Sequence, residues 1–286
     1  MAADNYLLAP ATGRLLGIYA AAPKGSLFIN GPADSDLPGV AAHLLGLIYG
    51  DDRSRAGQVY GLEKYAIESI RELLGRLART RFNPRLPRLI VIEDCDRLEP
   101  AAQNALLKGL EEPPPGSHFL LTSSRPWEVL PTIISRCQPI RMRKPLKEDL
   151  FALFPLEPPE DLEQAYWATD GWPKAMEAYL NQPDSRIRKE IALAKKFLQA
   201  DSAGRMKLLF AKGAPTEKDE LAAFLAELLG GLWRTTRASL LLAAGKGDWQ
   251  KADLWRKRFL AVNALKEDLD DRLNNRIVML NLGLRF

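Results

Sequence analysis

Short apolar runs alternate with helical patterns along the first half of the chain. The run Ser26–Ile29 predicts a buried strand, and Leu89–Ile92 predicts a second strand that is apolar on both faces. Two further runs, His118–Thr122 and Gln138–Met142, predict two more strands. Strands that alternate with helices are typical of a parallel sheet covered by helices, so we predict an α/β domain here.

Two amphipathic helices are predicted between these strands. Leu and Ile side chains recur at helical spacing over residues 62–77, which predicts the first helix. The second helix begins at Pro100, because proline suits the first helical position, and it ends before Pro113–Gly116.

Helical periodicity replaces the strand patterns after Pro145. Two apolar stripes, Leu221–Trp233 and Trp255–Ile277, are predicted to form most of the core of a helical bundle. We expect the exposed remainder of these stripes to serve an intersubunit contact. The predicted parts are an α/β domain at 1–144, a small helical domain at 145–183 and a helical oligomerisation domain at 184–286.

The composition is that of an ordinary globular protein. The chain has 286 residues, of which 47% are hydrophobic and 27% charged, and this excludes disordered and fibrous classes. The sequence contains no apolar run near the ~18 residues that cross a membrane, and no signal-peptide pattern. We therefore expect a cytoplasmic protein without a membrane partner.

Charge is distributed unevenly along the chain. Residues 184–286 contain 20 Lys and Arg against 13 Asp and Glu, a net charge of +7, and the rest of the chain has −3. A solvated helix face explains such an excess, and contact with DNA or an acidic partner is the alternative. The overall net charge of +4 does not decide between them.

Few residues in the sequence are suited to hold a transition metal. Cys95 and Cys137 are the only cysteines, and His43 and His118 are the only histidines. Two cysteines exclude a disulfide framework and also a zinc site with three or four cysteines in one chain. The mixed set of cysteines and histidines lacks the paired short spacing of a zinc site, so we predict no metal.

A degenerate phosphate-binding loop follows the first predicted strand. A working loop needs the pattern G-x-x-x-x-G-K-[ST], in which the lysine contacts phosphate and the hydroxyl contacts Mg²⁺. Gly31 matches the first glycine, whereas Asp36, Leu37 and Pro38 replace the second glycine, the lysine and the hydroxyl. The carboxylate of Asp36 would repel phosphate, and Pro38 lacks the N–H that the loop uses. An ordinary strand-to-helix turn is the other interpretation, and both predict that no nucleotide binds.

Acidic residues Glu93 and Asp94 follow the second predicted strand. This is the layout of a Walker B site, which holds Mg²⁺ and orients water. Acidic strand ends are also common in α/β proteins without that function, so the pair alone leaves both interpretations open.

Four motifs occur in a fixed order between Leu89 and Ile140. They are the acidic strand end Glu93–Asp96, the segment Leu110–Pro114, the hydroxyl-rich strand end Thr122–Ser124 and the triplet Ser135-Arg136-Cys137. In this order they resemble the clamp-loader branch of the AAA+ family, and within it the delta-prime type of subunit. The resemblance implies an α/β AAA+ (P-loop NTPase-like) domain followed by a helical lid and a helical collar.

The sequence departs from the family pattern at several positions. The Walker B order Asp-Glu is replaced by Glu93-Asp94, and the lysine of the phosphate loop is replaced by Leu37. Many delta-prime-like subunits have a four-cysteine zinc module before the Walker B strand, and this sequence has no such module there. Lys174 lies where the family has its second sensor residue, and an ordinary surface lysine is the alternative.

Arg136 is the residue that the resemblance singles out as functional. The arginine of the Ser-Arg-Cys triplet is an arginine finger in this family and reaches the nucleotide of a neighbouring subunit. Its planar guanidinium suits bidentate contact with phosphate oxygens. Ser135 and Cys137 would shape the turn that presents it, and no histidine lies near Cys137 in sequence to activate the thiol.

The resemblance implies a subunit of the DNA polymerase III clamp loader that needs no cofactor of its own. The expected partners are ATP-binding subunits of the gamma/tau type, a delta-type clamp-opening subunit, the sliding clamp and primed DNA. Three alternatives stay open: an active ATPase with a divergent loop, a DNA-binding module that uses the basic C-terminal part, and an inactive scaffold outside replication.

Overall fold

The computed structural model describes residues 6, 8–50, 59–60, 65–79, 87–210, 218–270 and 275–285. The chain divides into two compact units, one ending at Leu150 and the other beginning at Phe151. The first unit corresponds to the predicted α/β domain. The second unit holds both predicted helical parts, and the boundary between those parts at 183/184 stays a prediction.

A parallel sheet of five strands forms the first unit, in the order β2-β3-β4-β1-β5. The strands are β1 Ser26–Asn30, β2 Val59–Tyr60, β3 Arg88–Ile92, β4 Ser117–Ser123 and β5 Cys137–Arg141. The predicted α/β sheet is confirmed, and each predicted strand lies within one residue of its expected bounds. The sequence does not predict β2, because this strand has only two residues and gives no apolar run.

The helices of the first unit separate its strands along the chain. They are α1 Pro10–Ala21, α2 Leu37–Tyr49, α3 Ile67–Arg79, α4 Pro100–Glu111, α5 Pro131–Ile134 and α6 Lys147–Phe151, the last of which crosses the unit boundary. Helix α4 begins at Pro100 and stops before Pro113, as predicted. Helix α3 begins at Ile67, and the residue at which we expected it to begin, Leu62, lies outside the described residues.

The core of the first unit joins the sheet to helices α3 and α4. Phe28, Ile90 and Phe119 belong to three neighbouring strands and form one apolar cluster with Leu73 and Leu106 of the two helices. All five side chains are at most 1% exposed. Removing this much apolar surface from water is the main stabilising contribution to the unit.

The pairing of β1 with β5 defines the two edges of the sheet. Ser26 pairs with Cys137 and Asn30 pairs with Arg141, so both strands start at one edge and end at the other. The segments that follow β1, β3 and β4 therefore meet at the carboxyl edge. Arg136 precedes β5 and lies at the opposite, amino edge.

The described residues of the second unit form helices and the turns between them, with no strand among these residues. Its helices are α7 Pro159–Thr169, α8 Pro173–Asn181, α9 Arg186–Gln199, α10 Ser202–Phe210, α11 Lys218–Gly245, α12 Trp249–Asp270 and α13 Asn275–Arg285. One apolar cluster joins α9 to α13 and includes Phe197, Leu229, Val262 and Leu282, all of them fully buried.

One of the two predicted apolar stripes needs correction. The stripe Leu221–Trp233 faces the core of the second unit, as predicted. The stripe Trp255–Ile277 is wrong as a single face, because α12 and α13 share it and Ile277 is 51% exposed. Val278 and Met279 take the buried positions of α13 instead. Two further residues of this stripe, Leu269 and Leu273, lie outside the part of the chain whose side chains the structure describes.

A buried ion pair joins helices α7, α9 and α11. The guanidinium of Arg234 contacts Glu190 at 3.0 Å, and both side chains are under 10% exposed. Arg234 also donates to the carbonyl of Ala168 at the end of α7. A side chain at Gly231 would overlap the backbone of Glu190, so α11 needs glycine there to approach α9 closely. The predicted lid and collar helices therefore belong to one packed body.

Candidate functional site

The loop that follows β1 is wound tightly on itself. Gly31 donates its N–H to the carbonyl of Ser123 at 3.3 Å, and Ser35 donates its N–H to the carbonyl of Pro32 at 2.8 Å. The hydroxyl of Ser35 donates to the same carbonyl of Pro32. Residues 33–35 form a turn of 3-10 helix. Two N–H groups of this loop, those of Gly31 and Ser35, are therefore bonded within the chain and do not face a ligand.

Asp36 caps the helix that follows this loop. Its backbone has a φ of 53°, in the left-handed region, and its Oδ1 accepts a hydrogen bond from the N–H of Gly39 at 3.3 Å. Its carbonyl accepts the N–H of Val40. The start of a helix attracts anions, because its first N–H groups have no partner within the helix. In this chain an internal carboxylate already occupies that position.

Tyr6 covers the same carboxylate. Its hydroxyl donates to Asp36 Oδ2 at 2.8 Å and also to the Asp36 carbonyl, and its ring stacks on His43. Burial and the neighbouring carboxylate together raise the pKa of Tyr6 well above the ordinary value. A Cβ at Gly39 would overlap Asp36 and lie 2.8 Å from the Tyr6 hydroxyl, so little space is left there.

Leu37 and Pro38 have no polar side chain. They stand where a working phosphate loop has its lysine and its hydroxyl. Leu37 is 3% exposed and belongs to the core. Pro38 lies in the first turn of α2 and has no N–H. The sequence-based hypothesis placed four residues in a degenerate loop, and the structure brings Gly31, Asp36, Leu37 and Pro38 together in one short turn.

The acidic residues after β3 adopt a constrained turn. Glu93 is exposed, whereas Asp94 has a φ of 46° and donates its N–H to the Thr122 hydroxyl at 3.3 Å. The Asp94 carboxylate lies 3.9 Å from the Arg97 guanidinium. The acidic strand end and the hydroxyl-rich strand end are therefore neighbours at the carboxyl edge of the sheet.

Asp96 and Arg125 form an ion pair that sequence reasoning did not predict. The side chain of Asp96 is 2% exposed, and its Oδ2 accepts from Arg125 Nε at 3.0 Å. This contact ties the turn after β3 to the turn after β4. The available signal was that Asp96 ends the acidic motif and Arg125 directly follows the hydroxyl motif.

Arg136 lies in the turn between α5 and β5 and is held by two acceptors. Its Nη1 donates to the carbonyl of Thr132 at 2.9 Å, and its Nη2 contacts Glu111 Oε1 at 2.5 Å. The side chains of Arg136 and Glu111 are 35% and 49% exposed. The guanidinium is therefore oriented by the chain and still accessible from outside.

The neighbours of Arg136 in the triplet have structural contacts. The Ser135 hydroxyl donates to the Thr132 carbonyl at 3.1 Å, which is the carbonyl that also accepts from Arg136. Cys137 is buried at the start of β5, and burial raises the pKa of its thiol to about 12. A thiol with such a pKa stays protonated at neutral pH and is not a nucleophile.

The structure does not bring Arg136 and the degenerate loop together. Arg136 comes one residue before the Ser26–Cys137 pair, and Gly31 comes one residue after the Asn30–Arg141 pair. At ~3.3 Å per strand residue, this places them ~20 Å apart along the strand direction. Arg136 therefore cannot reach an anion held at the loop of its own chain.

Lys174 lies on α8 in the second unit. Its Nζ contacts Glu177 Oε2 at 2.6 Å, and both side chains are about half exposed. The preceding turn is well packed, because Asp170 pairs with Arg237 and Gly171 adopts a φ of 70° against the Tyr166 ring. The second-sensor role of Lys174 stays a prediction.

Many basic side chains of the second unit are paired with acidic ones. Lys251 contacts Asp248, and both Arg256 and Lys257 contact Asp253 on α12. These contacts place acidic side chains beside part of the basic surface, and the net charge of +7 already includes both signs.

Within the described residues, no group of three or more His, Cys, Asp and Glu side chains is placed to hold a metal ion. None of the described helices is both long and apolar enough to cross a bilayer.

Comparisons with known proteins show to which proteins this chain is similar. A family model described as "DNA polymerase III, delta subunit" matches residues 47–146. The DNA polymerase III subunit delta' of Haemophilus influenzae is 36% identical over 85 residues, which are 30% of this chain and 25% of that protein. The subunit delta' of Pseudomonas aeruginosa is 34% identical over 114 residues, 37% of this chain and 34% of that protein. The replication factor C small subunit of Haloarcula marismortui is 25% identical over 232 residues, 80% of this chain and 69% of that protein.

The matched region contains the residues on which the resemblance rests. The family match at 47–146 includes the acidic turn after β3, the end of α4 and the Arg136 turn. The two bacterial relatives are matched over about a third or less of their own length. The matched part of the chain is therefore similar to clamp-loader subunits of the delta' and replication factor C types.

Proposed function

We propose that the chain is a delta-prime-type clamp-loader subunit that does not hydrolyse ATP and supplies Arg136 to the nucleotide site of a neighbouring subunit. The observation that carries the proposal is the placement of Arg136 at the sheet edge opposite its own loop. An arginine finger that acts in trans contacts a nucleotide bound by another chain, so it needs an exposed position away from its own loop.

The contacts of the loop support the absence of hydrolysis. The helix start is capped by Asp36 and covered by Tyr6, and the lysine position holds a buried leucine. A triphosphate would have to displace a carboxylate that satisfies the helix N–H groups and would gain no lysine in exchange. This argues against the alternative of an active ATPase with a divergent loop.

The geometry of Arg136 supports a role in phosphoryl transfer. A guanidinium presents its N–H groups in a planar fork that matches two phosphate oxygens. Charge builds on those oxygens in the transition state, and an arginine finger accelerates the reaction by ~10³–10⁵ at the site it serves. Ser135 and Thr132 fix the turn that presents the fork.

The second unit is proposed to be the collar that joins this subunit to its partners. Several large apolar side chains on its helices are exposed, among them Leu242, Trp249 and Leu260. Large apolar patches on a protein surface usually mark an interaction site. We propose gamma/tau-type ATPase subunits and a delta-type subunit as the direct partners. The sliding clamp and primed DNA would be reached through the complex.

A DNA-binding module is the weaker alternative. Three basic side chains of α12, Lys251, Arg256 and Lys257, are engaged by Asp248 and Asp253. Such a module would bind DNA by itself with a steep dependence on salt. We expect the chain alone to show no such binding.

Assembly tests the proposed function. The chain is co-expressed with the gamma-type and delta-type subunits of the same organism and followed by size-exclusion chromatography. We expect a stable complex that contains this chain, and we expect Leu242→Ser with Trp249→Ser to weaken it without loss of helical content. A chain that elutes alone and leaves the complex complete without it would contradict the proposal.

A further inference from the structure

The contact between Glu111 and Arg136 joins two rigid parts of the first unit. Glu111 is the last residue of α4, whose Leu106 and Leu110 are buried in the core. Arg136 follows α5, whose Ile133 is fully buried. Because both backbones are anchored by packing, the position of the Glu111 carboxylate relative to the guanidinium is fixed by the fold.

The two acceptors leave part of the guanidinium available. Glu111 takes one N–H of Nη2, and the Thr132 carbonyl takes one N–H of Nη1. The second N–H of each terminal nitrogen and the N–H of Nε are not engaged by any described residue. A free arginine side chain samples many rotamers, and ordering it costs conformational entropy. Two fixed acceptors reduce that cost before a phosphate arrives.

We propose that Glu111 is a positioning residue, which orients the Arg136 guanidinium for a phosphate group bound by the neighbouring subunit. The proposal rests on the proposed function of Arg136 as a trans-acting finger. It adds that the Leu110–Pro114 segment contributes to the reaction through the arginine and not through its own contact with nucleotide.

The charge of Glu111 predicts how the kinetic constants change. Removing the carboxylate leaves the arginine fully charged, so attraction for the bound nucleotide is not reduced. The orientation of the fork matters most in the transition state. Loss of Glu111 should therefore lower kcat and leave KM for ATP unchanged or slightly lower.

The test uses the reconstituted complex with sliding clamp and primed DNA. The ATPase subunits carry alanine in place of their own finger arginines, so that hydrolysis reports the site served by this chain. Steady-state kcat and KM are measured for wild type, Glu111→Ala, Glu111→Gln, Arg136→Ala and the Glu111→Ala/Arg136→Ala double variant. Glu112→Ala is the matched control, because Glu112 is the next residue and has no ion pair within the described part of the chain.

The expected rank of kcat is wild type, then Glu111→Gln, then Glu111→Ala. The neutral amide of glutamine keeps an acceptor for Nη2, and alanine keeps none. We expect Glu111→Ala to lower kcat by roughly two- to fivefold, the range for one exposed ion pair, with no change in thermal stability. Glu112→Ala should match wild type, and Glu111→Ala should have no further effect in the Arg136→Ala background.

Two results would overturn the inference in distinguishable ways. Glu111 does not position the finger if Arg136→Ala lowers kcat and Glu111→Ala leaves it unchanged. The same conclusion follows if Glu111→Ala lowers kcat by the same factor in the Arg136→Ala background as in the wild-type background. The proposed function survives that result. If Arg136→Ala itself hydrolyses at the wild-type rate, the proposed function and this inference are both wrong.

Discussion

The hydroxyl of Tyr6 donates a hydrogen bond of 2.8 Å to the carboxylate of Asp36, thirty residues further along the chain. The same carboxylate caps the N–H of Gly39 at the start of α2. In a working phosphate loop, the first N–H groups of this helix face the phosphates of a nucleotide. The contact therefore replaces an external anion with an internal one and closes the site from within the chain.

Nucleotide binding is the first property that this closure predicts. The isolated chain should give no heat of binding with Mg²⁺ and ATP in titration calorimetry. Leu37→Lys combined with Pro38→Thr should not restore binding, since Asp36 still occupies the glycine position of the motif. Binding with a micromolar Kd, by either protein, would contradict the account of the loop.

The stability of the loop gives a second prediction. Asp36→Ala should lower the free energy of unfolding by ~1–2 kcal/mol, because it removes a helix cap and places alanine in a left-handed backbone conformation. Asp36→Asn is the matched control, since asparagine can cap a helix and tolerates the positive φ. The free energy of unfolding is measured from urea unfolding curves. Equal midpoints for Asp36→Ala and Asp36→Asn would show that the cap does not stabilise the protein.

Alkaline pH should destabilise the protein partly through Tyr6. The folded-state pKa of this hydroxyl is raised above the ~10 of an unfolded tyrosine, so both states are protonated below that pH. As pH rises through ~10, the unfolded chain loses a proton that the folded chain keeps, and stability falls by up to ~1.4 kcal/mol per pH unit. Tyr6→Phe should remove this contribution. If the curves of unfolding free energy against pH are parallel for wild type and Tyr6→Phe, Tyr6 does not contribute to the loss of stability at alkaline pH.

The buried pair in the second unit provides a test of its packing. Arg234→Ala leaves Glu190 buried with its main partner removed, and should cost ~3–5 kcal/mol. Asp253→Ala is the control, because it breaks exposed contacts on α12 and should leave the unfolding curve almost unchanged. Equal effects of the two substitutions would mean that the Arg234 contacts do not hold α7, α9 and α11 together.

The features that the sequence predicts correctly are those that depend on a local pattern of residues. Four strands are short apolar runs, and the bounds of α4 follow from Pro100 and Pro113. That the loop binds no nucleotide is also predicted from local sequence, since Asp36, Leu37 and Pro38 are adjacent to each other, and it stays a prediction. Each of these predictions needs only residues that are close together along the chain.

The same reasoning does not predict contacts between residues that are far apart along the chain. Asp96 and Arg125 are separated by 29 positions, and Glu190 and Arg234 by 44. Whether such residues meet depends on strand order and helix packing, which a single sequence does not state. The apolar stripe ending at Ile277 failed for a related reason, because periodicity does not continue from one helix into the next.

The finger role of Arg136 is tested most directly by steady-state ATP hydrolysis of the complete clamp-loader complex, with sliding clamp and primed DNA. Arg136→Ala should leave the protein folded and the complex assembled, because one half-exposed side chain is a small part of a subunit interface. Hydrolysis at the site it serves should fall by ~10³–10⁵, and the total rate should fall less because the other sites keep their own fingers. Arg136→Lys should rescue poorly, since an ammonium group cannot make the bidentate contact. Wild-type rates for both variants would contradict the account and leave Arg136 with only its contacts to Glu111 and Thr132.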